Sequence, residues 1–145
     1  MVEYRDETLF PFSLDRVWKL LQDHVDDSLI VRIHPLVKQQ RTVTRHGDTI
    51  VADRTIDARG KLLDSQWQFT IRPPGLFRWE VLSGNGPYAT GSWMEYTYSP
   101  ESNGTRIGMR GSVKIIVLPF FIPQRPVLRR VFDALDAEDQ NYLRG

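Results

Sequence analysis

Two charged residues sit where apolar ones would be expected. Arg54 lies between Ala52 and Ile56 at a spacing of two, and Glu95 lies two residues beyond Trp93, in stretches with the alternation of half-buried strands. A charge on such a face needs an opposite charge, water or a ligand, because taking it out of water unpaired is costly. A guanidinium suits the oxygens of a carboxylate, enolate or phenolate, and a carboxylate suits accepting a proton or a hydroxyl. Arg54 and Glu95 are therefore the candidate pair for polarising a carbonyl and moving a proton. The plainer alternative is a structural ion pair with Arg54 stacked on Trp67.

The other chemistry-bearing residues are sparse. His24, His34 and His46 are ten and twelve residues apart, which is not the short spacing of ligands on one helix or strand pair. Turn or capping roles are expected for them, and no metal site is expected. There is no cysteine, hence no disulfide, thiolate zinc site or thiol nucleophile. Gly-rich phosphate loops, Ser/His/Asp orders and zinc-protease signatures are absent.

The elements that must position these residues follow from periodicity. Glycine-centred breaks near residues 47, 60, 75, 85 and 103 separate segments rich in β-branched and aromatic residues, the pattern of successive hairpins. Strands are predicted at about 2–10, 36–45, 48–58, 62–72, 76–83, 87–98 and 105–117. Between the first two, Ser13 caps a helix with Leu14, Val17, Trp18 and Leu21 on one stripe, with Phe12 as its staple on Val17. A second short helix, about 26–33, stops at His34-Pro35. After Pro123 and Pro126 the period becomes 3.6, with Val127, Leu128, Val131, Phe132 and Leu135 in line, predicting a helix over about 125–143. Glu138 and Asp139 interrupt that stripe, where the helix end is expected to leave the sheet.

Tight turns let facing side chains be counted. Turns centred on Gly60-Lys61, Pro74, Asn85 and Ser102 set Arg54 opposite Trp67, Phe69 opposite Trp79, Trp79 opposite Gly91 and Trp93 opposite Gly111. One face then collects Trp67, Phe69, Phe77, Trp79, Trp93 and Met109, together with Glu95, Arg54, Gln39 and Arg41. The other face collects Asp53, Asp57, Asp64, Arg78, Glu80 and Arg110. Large aromatics alternating with Gly91, Ala89 and Gly111, under a long helix and beside convergent polar groups, describe a ligand pocket. The residues expected to line it are Arg54, Trp67, Phe69, Trp79, Trp93, Glu95 and Met109 from the sheet, with Leu128 and Phe132 from the helix.

The order of strand, two short helices, six-stranded meander and long terminal helix resembles the helix-grip superfamily. That group includes START-type lipid-transfer domains, polyketide cyclases/dehydratases, coenzyme-Q-binding proteins and the pollen-allergen family. The resemblance rests on Phe10-Pro11-Phe12-Ser13-Leu14-Asp15 continuing through Arg16-Val17-Trp18, on Ile33-His34-Pro35, and on Gly91-Ser92-Trp93-Met94-Glu95-Tyr96 with Gly104-Thr105-Arg106. It covers essentially the whole chain and marks fold rather than chemistry. It implies an α+β fold with a seven-stranded curved antiparallel sheet around the helix, a hydrophobic cavity, and usually no metal or cofactor.

Composition narrows the function classes. The chain has 145 residues, 41% of them hydrophobic and 26% charged, close to the average of globular domains and consistent with one domain. With 19 Lys+Arg against 18 Asp+Glu there is no basic stripe for nucleic acid. The charged N-terminus lacks the apolar core of a signal peptide, and no apolar run approaches the 20 or so residues of a membrane span, so a cytoplasmic protein is expected. Segment 115–123, running from Ile115 through Phe120 and Phe121 to Pro123, is either a hydrophobic lip that meets a membrane or protein, or a buried connection. The leading expectation is a carrier or sensor of a small hydrophobic, lipid-like or aromatic molecule. The alternatives are a cyclase/dehydratase-like enzyme using Arg54 and Glu95, and a protein-interaction adaptor with a filled cavity.

Overall fold

A computed structural model describes all 145 residues. The chain runs β1 (Val2–Phe10), α1 (Leu14–His24), α2 (Ile30–Ile33), β2 (Val37–His46), β3 (Thr49–Ala58), β4 (Lys61–Arg72), β5 (Leu76–Gly84), β6 (Trp93–Glu101), β7 (Gly104–Val113) and α3 (Gln124–Arg144). The seven strands form one antiparallel sheet in the order β1-β7-β6-β5-β4-β3-β2. Consecutive hairpins build β2 to β7, and β1 closes on β7 because the two helices carry the chain back across the sheet. Bulges in the β2–β3 and β4–β5 pairings strengthen the local twist and bend the sheet into a concave shape.

The long helix covers the concave face. Leu128 and Phe132 are buried in a core shared with Trp67, Phe69, Trp79 and Met94. A smaller core lies beneath α1, where Val17 and Leu20 pack with Phe10, Ile33 and Leu143, and Phe12 leans on it as the staple requires. The Ser13 hydroxyl accepts from the Arg16 amide and caps α1. Arg16 also donates to the Leu143 carbonyl, tying α1 to the end of α3.

The registers show which inward assignments hold. The β3–β4 turn is Arg59-Gly60, not Gly60-Lys61. Both residues have positive φ, 56° and 85°, as the commonest two-residue hairpin requires. Arg54 therefore faces Ser65 and Ala52 faces Trp67, a shift of two that keeps the predicted faces. Phe69 faces Trp79 as expected.

At β5–β6 the prediction fails. Residues 85–92 form a connecting loop rather than the start of a strand, and Trp79 faces Met94 instead of Gly91. That shift of three is odd, so it turns β6 over: Met94 is fully buried, while Trp93 and Glu95 belong to the outer face. A second odd shift, Trp93 opposite Ser112 rather than Gly111, restores β7, where Ile107, Met109 and Val113 are buried. In β2 the bulge between Val37 and Gln39 likewise exchanges neighbours, so that Gln40 is buried and Gln39 and Arg41 are exposed.

Candidate functional site

The concave sheet and α3 enclose a cavity of about 810 Å³. Its walls are largely apolar, and the aromatic side chains among them include Trp67, Phe69, Phe77 and Trp79 from the sheet, with Tyr88 from the β5–β6 loop and Phe132 from α3. The indole N–H groups are satisfied within the wall. Trp67 Nε1 donates to Ser65 Oγ at 2.7 Å and Trp79 Nε1 to Tyr96 Oη at 3.2 Å, so neither indole leaves an unpaired donor on the wall. Exposed Leu36, Arg59, Lys61, Ile116 and Val117 also border this space and mark its mouth at the β3–β4 hairpin. Segment 115–123 is buried only in part. Ile115 is buried, whereas Phe121 is 73% exposed and Phe120 is fully exposed. No helix is long and apolar enough to cross a membrane.

Arg54 is the one guanidinium on the cavity wall that is buried, at 9% exposure. Its Nε donates to Gln40 Oε1 at 2.9 Å, and Gln40 is held in turn by donating to Asp27 Oδ1 at 3.2 Å. The guanidinium carbon lies 5.0 Å from the centre of the Trp67 ring and 4.9 Å from that of Phe69, within cation–π range of both. Burial draws its pKa down to about 10, and no carboxylate acts on it, only the Tyr88 phenol, so it stays cationic at neutral pH. Tyr88 is itself pushed up to about 12 by burial.

Several expected site residues lie elsewhere. Glu95 is on the outer face, bonded by Arg110 at 3.0 Å and 3.7 Å from Arg78, so it cannot work with Arg54. Trp93 lies beside it, between the guanidiniums of Arg78 and Arg110 at 4.3 and 5.9 Å. Leu128 is fully buried in the core but is not on the cavity wall. Arg54, Trp67, Phe69, Trp79, Met109 and Phe132 do face the cavity. With β6 turned over, Tyr96 and Tyr98 replace Trp93 and Glu95 on this wall.

A second polar group on the wall comes from three helices, two of them consecutive and the third at the far end of the sequence. His24 ends α1, His34 ends α2, and Asp139 lies on α3. Asp139 Oδ1 is 2.8 Å from His24 Nε2 and 3.1 Å from His34 Nε2, and His34 Nδ1 is 2.8 Å from Glu138 Oε1. The two histidines occupy helix ends as expected, yet their rings serve this cluster rather than a cap. Glu138 and Asp139 interrupt the apolar stripe where this end of α3 meets the ends of α1 and α2. Burial pulls the His24 pKa down, with help from its positively charged neighbours. His34 is also disfavoured by burial, but its bonds to Asp139 and Glu138 outweigh this and raise it. Burial pushes Asp139 up, and the two imidazoles overcome that and hold it at about 2.

Asp136, one turn earlier on α3, has no such partner. Burial, with the carboxylates of Asp139, Asp133 and Asp6, raises it from 3.8 to about 7, and His34 only partly offsets them. Because its folded pKa is raised, its stabilising contribution is complete below pH 3.8 and is lost as pH climbs to about 7. Asp136→Asn is therefore expected to raise the unfolding free energy at pH 8 by roughly 2 kcal/mol, allowing for partial solvent screening, and the melting temperature with it. The gain should vanish near pH 3.5. Thermal unfolding at the two pH values checks this, and an equal gain at both would refute it.

No protein-family model matches the sequence, and no curated protein matches it. Solved structures do. Ara h 8.0201 superposes with a TM-score of 0.78 at 12% identity, covering 98% of this chain and 97% of that one. The chain has the helix-grip fold. The di-domain ARO/CYC StfQ, from the steffimycin biosynthetic pathway, matches with a TM-score of 0.76 and 18% identity over 98% of this chain, which spans about half (49%) of StfQ. The aromatase/cyclase ZhuI from Streptomyces sp. R1128 matches with a TM-score of 0.68 and 12% identity, over 98% of this chain and 90% of that one. Likeness at these identities establishes the helix-grip architecture and leaves the chemistry to the cavity's own residues.

Proposed function

We propose that this helix-grip domain binds a small hydrophobic, aromatic molecule carrying an anionic oxygen. The observation that carries this is Arg54: a buried cation without a carboxylate partner, in a cavity of about 810 Å³ with largely apolar walls. The volume is in the range of small-molecule sites, roughly 300–1,000 Å³. An apolar ring system would displace water from the apolar lining of the cavity, and a carboxylate or phenolate would supply the counter-charge that the protein withholds. Space on this scale argues against the adaptor with a filled interior.

Titration with 2-naphthoate, its neutral amide and laurate, followed by tryptophan fluorescence, tests the reading. Saturable quenching by 2-naphthoate, at least tenfold tighter than by the amide, is the expected result. Absence of saturable binding by all three would overturn it. A cyclase-like activity is the second reading, favoured by an imidazole–carboxylate cluster on the same wall as Arg54 and by the aromatase/cyclase neighbours. Chemical change of a bound carbonyl compound, rather than its recovery intact, distinguishes it from a carrier.

A further inference from the structure

We propose that His24, His34 and Asp139 form a binding site for one divalent first-row transition-metal ion, with its remaining coordination positions open to the cavity. The potential ligand atoms of these three residues all lie within 4.8 Å of one another. Oδ1 of Asp139 is 2.8 and 3.1 Å from the two Nε2 atoms. Atoms bound at about 2.0–2.2 Å to a common ion lie roughly 2.9–3.4 Å apart when they are neighbours in its coordination sphere; both carboxylate–imidazole distances are already near this range, and an ion would draw the two imidazoles together to complete the set. The ion would take the place of the protons now shared between each Nε2 and the carboxylate.

Three further features fit. His34 is oriented through its other nitrogen by Glu138 at 2.8 Å, the outer carboxylate that commonly fixes a metal-bound imidazole and leaves Nε2 for the ion. Asp139 and Glu138 bring two carboxylates to the two imidazoles, the negative charge that an added cation would need there. Two imidazoles and one carboxylate select borderline ions such as zinc, cobalt or iron(II) over magnesium or calcium, which prefer oxygen-only cages. Because all three residues line the cavity, the open positions would face whatever occupies it. This goes beyond the proposed ligand binding and is testable without any organic ligand.

The experiment is calorimetric titration of EDTA-treated protein with zinc(II), paired with cobalt(II) absorption in the visible range. One ion per chain is expected, with d–d bands from a low-symmetry site. Asp139→Asn and His34→Ala should each weaken binding at least a hundredfold, and Glu138→Gln about tenfold or more. His46→Ala, at the exposed β2–β3 turn, should change nothing. Should the variants fold poorly, imidazole NMR signals of unmodified protein serve instead, and those of His24 and His34 should shift at one equivalent of zinc. Unshifted signals, or affinity equal in Asp139→Asn and wild type, would overturn the site and leave a hydrogen-bonded cluster only.

Discussion

Arg54→Met is expected to weaken 2-naphthoate binding about a hundredfold while leaving the ligand-free protein at least as stable as wild type. The two effects share one origin. A buried guanidinium carries a desolvation cost, visible in the lowering of its pKa to about 10, and no carboxylate offsets that cost. Methionine fills similar space without it. Against the gain stand the stacking on Trp67 and Phe69 and the bond to Gln40, each on the order of 1 kcal/mol. In the complex the balance reverses, because each hydrogen bond between charged groups contributes roughly 1.5–3 kcal/mol. Urea unfolding and fluorescence titration read the two effects separately. A loss of more than about 1 kcal/mol of stability would make Arg54 a structural residue, and undiminished affinity would remove it from the binding site. The neutral amide, which offers no charge, should bind both forms with similar strength.

Gly111→Ala should cost about 3 kcal/mol, the upper end of the usual range for forcing atoms into a packed site, because here they meet backbone that cannot move. In β7, Gly111 pairs with Tyr4 of β1 and Met94 of β6 on the concave face. A methyl there would lie 2.2 Å from the Trp93 carbonyl oxygen and 2.4 Å from Met94 Sδ. The thioether can swing away, but the carbonyl belongs to the β6–β7 ladder. The sheet can bend closely over its core at this point because Gly111 has no side chain. Gly108→Ala is the control: its methyl would meet only Thr97 Oγ1, at 3.0 Å, and a side chain yields more readily than backbone. Urea midpoints for the two variants should differ clearly, and equal losses would show that the close approach at Gly111 does not limit stability.

How far the cavity was legible before folding depended on the turns. Across β3, β4 and β5 the connections are tight, so counting from them assigned Trp67, Phe69 and Trp79 to the inner face, and even the misplaced Gly60 turn preserved parity. The β5–β6 connection contains glycines like the others, yet it is a loop of eight residues held by a bridge from Tyr88 to Ile115, and counting through it inverts the facing of β6. That inversion exchanged Trp93 and Glu95 for Met94, Tyr96 and Tyr98. The bulge that buried Gln40 in place of Gln39 acted in the same way, since one extra residue reverses which neighbour points inward.

Local forces recorded in the chain itself determined the order of the elements, the cap and stripe of α1, the aromatic character of the concave face and the presence of a charge at Arg54. Those features depend on neighbours a few residues away, and periodicity reports them directly. Folding alone decided the facing of β6, the absence of a carboxylate beside Arg54, and the meeting of His24, His34 and Asp139. The last three side chains are brought together by two helix ends and a third helix, and a distance of more than a hundred residues leaves no periodic trace. Their proximity is a product of how α3 packs across the sheet, a property of the assembled layers rather than of any one segment.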